Sequence, residues 1–568
     1  MADIQFNNSA LMKTLRWLFL ALLSIPLFAQ DYDVLIRNGR VIDGSGNPWF
    51  WADVGIKGDR ITLVGRAAAN AASKRTIDAT GLIVAPGFID MLEQSEFNLL
   101  VDRKAVSKLT QGITSGVTGE GGSVSPQNAE TIKDQEDWLT HYHQTIDWTD
   151  LDGYFKRLEK DGSGINLGTY VGAAQVREYV IGHEDRAATP EELRKMQDLV
   201  ERDMRQGALG LSTALIYAPG NYASTEELVA LAKAAAKHGG IYASHIRNEG
   251  INEQAALDEA FRIGREAGIP VHLFHLKVAG KDNWGKMPQV IAQIENARGQ
   301  GIEVTANQYP YIASATSLGA AIPPKYHAGG TDAFVARLRD PKTRAQIRQE
   351  LESTAQGGGE NMWRGPGGGQ GILVSSVLSP NLKQFEGKRI SEVAKMQNKD
   401  ALDALIDLVA DDRDNVGAIY FSMSEPDVRR AMQQPWLCVG TDFGEVSPTG
   451  PLAEGKAHPR AYGSFPRVLG TYVRDEHLLR MEDAIRKFTS LPAQIVRLQD
   501  RGLLKQGYFA DLTIFKPETI KDIATFEDPN RTSQGIEYVF VNGVLSVEHD
   551  KLTGQVGGRP LRGPGYQK

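Results

Sequence analysis

Ile241-Tyr242-Ala243-Ser244-His245-Ile246-Arg247, the helical stretch Asn252–Ala267, and Val271-His272-Leu273-Phe274-His275-Leu276-Lys277 together decide the fold. The two outer runs are short and mostly apolar, and each carries a histidine near its end with a cation two residues beyond. The segment between them is long and has helical spacing. Strand, helix, strand in that order makes a parallel pair, because parallel neighbours need a crossover rather than a tight turn.

The same alternation extends in both directions. Candidate strands are Ile83–Met91, Ile113–Glu120, Asn166–Ala173, Ala208–Ala214, Ile241–Ile246, Val271–Lys277, Glu303–Pro310 and Trp436–Phe443. Helical segments between them include Pro190–Gln206 and Thr225–His238. Eight βα units are the number that closes a (β/α)8 barrel. The expected fold class is therefore α/β, a TIM-like barrel over residues 83–495 with a long insertion at about 322–435. An open doubly wound sheet is the competing arrangement, but no glycine-rich phosphate loop follows the first strand. The insertion carries two glycine runs, 357–359 and 367–369.

Both ends of the chain read as antiparallel β structure. Val34-Leu35-Ile36, Ala52–Ile56 and Ile61–Val64 are separated by Asp43-Gly44 and Gly58-Asp59 turns. Asp511–Phe515, Ile536–Val541 and Val544-Leu545 have the same character. Residues 31–82 and 496–568 are thus expected to form the two halves of one small β-sandwich, the second half including the C-terminal tail.

Residues 1–30 read as a signal peptide. Lys13 and Arg16 precede an apolar run from Trp17 to Ala29. That run falls short of the ~20 residues a membrane span requires. The expectation is an exported protein, periplasmic or secreted, with no stable membrane partner after cleavage. The lone Cys438 allows no internal disulfide. With 63 basic and 70 acidic residues, the net charge of −7 argues against a nucleic-acid partner, which calls for a basic face.

In a barrel, functional side chains project from the C-terminal strand ends. Here those ends offer His245, His275, Glu120 and Asp442. Imidazole and carboxylate together suit zinc, which takes three protein ligands and a water when catalytic. His272 sits at the start of its strand and reads as structural. His141, His143, His183 and His238 lie away from the strand ends.

Several ordered motifs resemble the N-acyl-D-amino-acid deacylase (D-aminoacylase) family of the amidohydrolase superfamily. They are Pro86-Gly87-Phe88-Ile89-Asp90, Gly207–Thr213, Tyr242–Glu249, His275–Gly280, Gln308–Tyr311 and Ala457–Gly470, within a likeness running from Asp33 to Val547. The resemblance implies hydrolysis of the amide of an N-acyl amino acid, of D configuration, to a carboxylate and a free amino acid. It implies that His245 and His275 bind the metal. Asp442 matches the carboxylate that takes a proton from the attacking water and passes it to the leaving amine. Lys277 and Tyr217 match groups that hold the substrate carboxylate, with Arg247 as helper, and Tyr309 or Tyr311 adds a phenol.

Two positions depart from the family pattern. Its first strand ends in His-x-His, where this chain has Leu92 and Gln94. Its second strand offers a cysteine where this chain has Gly121, next to Glu120. The reading is one Zn2+ ion, or another divalent metal, held by His245, His275 and Glu120, with Glu93 and Glu96 also near in sequence. A related dipeptide, cyclic amide, lactone or ester is the alternative substrate. The missing His-x-His motivates a third reading, a non-catalytic binding protein.

Overall fold

The computed structural model describes residues 31–353 and 359–567. The expected signal peptide, and Gly357 and Gly358 of the first glycine run, lie outside the described residues.

Eight parallel strands form the barrel, in chain order. They are Phe88–Asp90, Ile113–Thr118, Asn166–Thr169 with its continuation Val171–Gly172, Gly210–Ala214, Ile241–His245, Val271–Leu273, Val304–Gln308 and Leu437–Val439. Neighbours pair in register, as with Ala214↔His245 and Ser244↔Leu273. The ring closes between the first and eighth strands through a parallel bridge, Glu93↔Phe443, and a bond from the Asp442 amide to the Leu92 carbonyl (2.8 Å).

The crossover helices follow from local sequence. Pro190–Gln206 begins on a capping box: Thr189 Oγ1 accepts from the Glu192 amide, and the Glu192 carboxylate accepts from the Thr189 amide. Pro190 supplies a first helical position that needs no donor. Met196, Val200 and Met204 recur at helical spacing and are buried. Gly207, at φ +109°, ends the helix in a conformation that other residues avoid.

The first expected strand, Ile83–Met91, is two strands in two sheets. Ile83–Pro86 pairs with Tyr32–Val41 and with Leu512–Phe515, so it belongs to the terminal β unit. Phe88–Asp90 belongs to the barrel. Gly87 is the joint, where a Cβ would lie 2.2 Å from Thr114 Oγ1. The terminal unit is one nine-stranded, mostly antiparallel sheet drawn from both ends of the chain. Val54, Ile56, Leu512 and Phe540 share its apolar core. The C-terminal tail then leaves this sheet and runs along the barrel, with Leu167 N–H donating to Arg559 O (3.0 Å) and Leu561 N–H to Leu167 O (2.8 Å).

The insertion starts earlier than its apolar sequence suggests. Its polar first strand, Ser314–Ser317, pairs with Gly417–Tyr420, which also pairs with Ile372–Ser376. Helices including Gly330–Arg339, Pro341–Glu352 and Ala401–Asp411 close a separate core around Phe334, Leu338, Ile347 and Leu405. Among the described residues, no helix is long and apolar enough to cross a membrane.

Candidate metal centre

His245 is the last residue of its strand, so the fifth barrel strand places it directly. His275 and Asp442 lie just beyond the sixth and eighth strands, both in left-handed backbone, at φ +35° and +51°. Such conformations cost roughly 1–3 kcal/mol each in non-glycine residues and collect at functional sites. The chain holds them by backbone anchors: the His275 amide donates to Asn307 Oδ1 (2.6 Å), and the Asp442 amide to Leu92 O.

Glu120, His245 and His275 converge. Glu120 Oε1 lies 3.1 Å from His245 Nδ1 and 2.9 Å from His275 Nε2. One ligand atom from each residue falls within 4.8 Å of the others. Burial alone would raise the Glu120 pKa, but His275 and the hydrogen bonds from both imidazoles hold it well below its ordinary value. Burial and Lys277 act to lower His275, yet Glu249, Asp442 and Glu120 outweigh them and push it up to about 9. One carboxylate and two imidazoles aimed at a common point fit a divalent metal of zinc type.

The opposite edges of both rings meet a second carboxylate, Glu249. Its Oε1 is 3.0 Å from His275 Nδ1 and its Oε2 is 3.4 Å from His245 Nε2. Lys277 Nζ lies 2.6 Å from Glu249 Oε1 and 2.7 Å from His275 Nδ1. The ammonium makes this the wrong side for a cation, so Glu120 marks the metal face and Glu249 the supporting face. Carboxylate behind imidazole is how metal-binding histidines are commonly oriented.

Asp442 stands beside the triad. Its Oδ1 accepts from Gln94 Nε2 (3.1 Å), and its Oδ2 is 2.7 Å from Arg460 Nη1. Burial raises its pKa, against the opposing effect of Arg460 and His275. Gln94 Nε2 also donates to Glu120 Oε2 (2.8 Å). The Tyr217 ring packs edge-on against His245, with centroids 5.5 Å apart, and its hydroxyl donates to Thr316 of the insertion. Tyr309 lies under the Arg460 guanidinium at 4.4 Å, and burial raises its phenol to about 12.

Two expected substrate contacts point elsewhere. Arg247 is spent on Glu259, at 2.8 and 2.9 Å, and on the carbonyls of Asn221 and Ala223. The Tyr311 hydroxyl pairs with Asp522 (3.3 Å), beside Arg467. Both are correctly placed at strand ends in sequence, but their tips leave the triad. Glu93 is bound to Lys108 (3.2 Å) rather than facing the donors. Glu96 is not part of the triad, and burial pushes its carboxyl up to about 8. His272 is a core residue, between Thr305 Oγ1 (2.9 Å) and Asn307 Nδ2 (3.0 Å). Gly121 has no room for a side chain at its φ of +71°: a Cβ would lie 2.5 Å from Ala214 Cβ.

A family profile described as "Amidohydrolase family" matches residues 75–547. The D-aminoacylase of Alcaligenes xylosoxydans xylosoxydans is 36% identical over 537 residues, covering 94% of this chain and 98% of the relative. The chain belongs to the D-aminoacylase family of amidohydrolases. A solved N-acyl-D-glutamate deacylase from Bordetella bronchiseptica, complexed with zinc and a phosphonate inhibitor, superposes with a TM-score of 0.78 at 32% identity, covering 94% of this chain and 99% of that one. A D-aminoacylase structure described by its binuclear metal centre, with one-metal activation and second-metal attenuation, gives 0.77 at 34% identity, covering 94% and 100%.

Within this D-aminoacylase frame, the sequence reading passed over three side chains that complete the site. Glu249 is four residues after His245, in the Tyr242–Glu249 run. Arg460 is in the Ala457–Gly470 run. Gln94 stands in the sequence where the family has a histidine.

Proposed function

We infer that this protein hydrolyses the amide bond of N-acyl-D-amino acids, giving a carboxylate and a free D-amino acid. The observation that carries the reading is the convergence of Glu120, His245 and His275 at one barrel mouth with Asp442 beside them. Glu120, His245 and His275 would hold one zinc ion, which when bound polarises the scissile carbonyl and acidifies water to a pKa of ~7. Asp442 removes a proton from the attacking water and returns it to the leaving nitrogen. Its burial supports the second half of that cycle, because a raised carboxyl pKa makes the proton easier to hold between the two transfers. Arg460 brings a buried cation beside Asp442 for the substrate's free carboxylate, while Lys277, held by Glu249 and His275, fixes the supporting face instead. Arg460 thereby takes the part expected of Arg247. The insertion supplies one wall, through Thr316 against Tyr217.

The test is a panel of N-acyl-D-amino acids, N-acyl-L-amino acids, dipeptides, lactones and esters, run on metal-depleted and zinc-restored protein. The expected result is turnover of N-acyl-D-amino acids that disappears on depletion and returns with zinc. Turnover confined to esters, lactones or dipeptides would replace this reading. Export to the periplasm or medium is part of the proposal, supported by the composition of residues 1–30. N-terminal sequencing of the mature protein checks it, and a start at Asp31 or within a residue or two of it is expected.

A further inference from the structure

Gln94 stands between two carboxylates, and nothing in the hydrolytic scheme yet uses it. Its Nε2 donates to Glu120 Oε2 at 2.8 Å and to Asp442 Oδ1 at 3.1 Å. A carboxylamide carries two N–H donors on one nitrogen, so it can serve two acceptors at once. Ionised carboxylates only accept, which settles which end of the amide faces them. We propose that the Gln94 amide is a resident substitute for a second cation, so that this centre takes one metal ion and leaves the Asp442 carboxylate free. The proposal rests on reading Glu120, His245 and His275 as the ligands of the first ion.

The chemistry of the gap supports it. Two metal ions in hydrolytic sites sit about 3.5–4 Å apart and are commonly joined or flanked by carboxylates. Here the donor between Glu120 and Asp442 is neutral, and it reproduces the bridging contact without adding positive charge. The other place that could help hold a second ion is closed. Leu92 is 1% exposed, has no ligating atom in its side chain, and packs with Met91, Val117 and Phe274. Its backbone carbonyl is already taken by the Asp442 amide. The remaining Asp442 oxygen, Oδ2, faces Arg460. One oxygen of the proton-carrying group therefore accepts from Gln94 and the other lies against the Arg460 charge, so neither is claimed by a metal. Gln94 is a positioning residue in this account.

The experiment measures metal content of the full chain after dialysis against excess zinc, together with calorimetric zinc titration. Wild type is expected to hold one ion per chain, with hydrolysis unaffected by excess zinc. Gln94→Glu keeps the side-chain shape, removes both donors and adds a third carboxylate. It is expected to gain a second ion, which Gln94→Glu combined with Asp442→Asn loses again. Leu92→His with Gln94→His provides an independent pair of ligands and is expected to gain the same second ion. A wild-type chain that holds two ions, the second released by Asp442→Asn, overturns the proposal. Wild type that takes up no ion overturns the ligand reading beneath it. Circular dichroism on each variant separates loss of fold from loss of metal.

Discussion

Asp442 and Glu249 are both buried carboxylates beside the same two histidines, yet the structure gives them opposite tasks. Asp442 lies between Gln94 and Arg460, and its pKa is raised by burial. Glu249 faces the ring edges turned away from Glu120. Burial would raise it too, but His245, Lys277 and His275 hold it well below its ordinary value, so it stays a carboxylate. Asp442→Asn keeps the shape, exchanges one acceptor oxygen for an N–H donor, and cannot carry a proton. It is expected to lower kcat by roughly 10²–10⁴-fold, the range of general acid–base catalysis, while zinc content stays unchanged. Full turnover in that variant would remove Asp442 from the proton path. Glu249→Gln is expected to weaken zinc binding by roughly 10–100-fold, as loss of a carboxylate behind a ligating histidine does. Chelator competition reads this directly, and an unchanged affinity would show that the rings need no such support.

At the scale of elements, the barrel's closure depends on a residue outside any strand. Lys108 lies in the short helix Val106–Leu109, and its side chain is fully buried. Its ammonium lies 3.2 Å from Glu93 and 3.7 Å from Asp90, and it donates to Thr441 Oγ1 (3.0 Å) and Phe443 O (2.6 Å). The first pair belongs to the end of the first strand and the second to the end of the eighth. Removing one partner of a buried ion pair leaves a charge stranded, at about 3–5 kcal/mol. Lys108→Met is expected to lower unfolding stability by that order in urea titrations, and a change within error would mean that closure rests on backbone pairing alone. Nothing in the sequence marked this lysine, because its role depends on where the loop after the first strand returns. The parallel strands were legible as apolar runs ending in polar residues, and so were the donors at their ends. The split at Pro86-Gly87 was hidden, since Ile83–Asp90 is nearly one apolar run that feeds two sheets. The start of the insertion was hidden for the reverse reason: Ser314–Ser317 is a polar strand, held by pairing rather than by apolar pattern. Glu249, Gln94 and Arg460 come from loops beyond strand ends and from a helix start, where backbone turns set the direction of a side chain and sequence spacing does not.

Across the whole molecule, burial of carboxyl groups sets an expected pH dependence of stability. Burial pushes Asp90 up to about 6, although Lys108 opposes it, and Asp414 up to about 7. Burial also raises Glu445 to about 8, and burial with the neighbouring Asp134 raises Glu178 to about 8. These are acids whose folded pKa lies above the unfolded value of about 4. Between those two values the native chain binds more protons than the unfolded chain, so stability falls as pH rises. The loss starts once pH passes about 4 and levels off above the folded pKa values, near 8. Exposed carboxylates with lowered pKa act in the opposite sense at lower pH: Glu192, drawn to about 2 by Arg186, withdraws its stabilisation as it protonates. The unfolding midpoint is therefore expected to peak on the acidic side of neutrality and to decline toward pH 8. Metal binding carries its own pH dependence, because the ligands must be deprotonated. The comparison that isolates the buried acids is thus wild type against Asp414→Asn at equal zinc loading. Asp414 lies in the insertion, away from the triad, and its Oδ1 is buried with no hydrogen-bond partner among the described residues. An asparagine there has no proton to lose, so the decline between pH 5 and 8 should be shallower in the variant, with the two curves drawing together near pH 4. Parallel curves across the whole range would show that Asp414 ionises in the folded chain as easily as in the unfolded one.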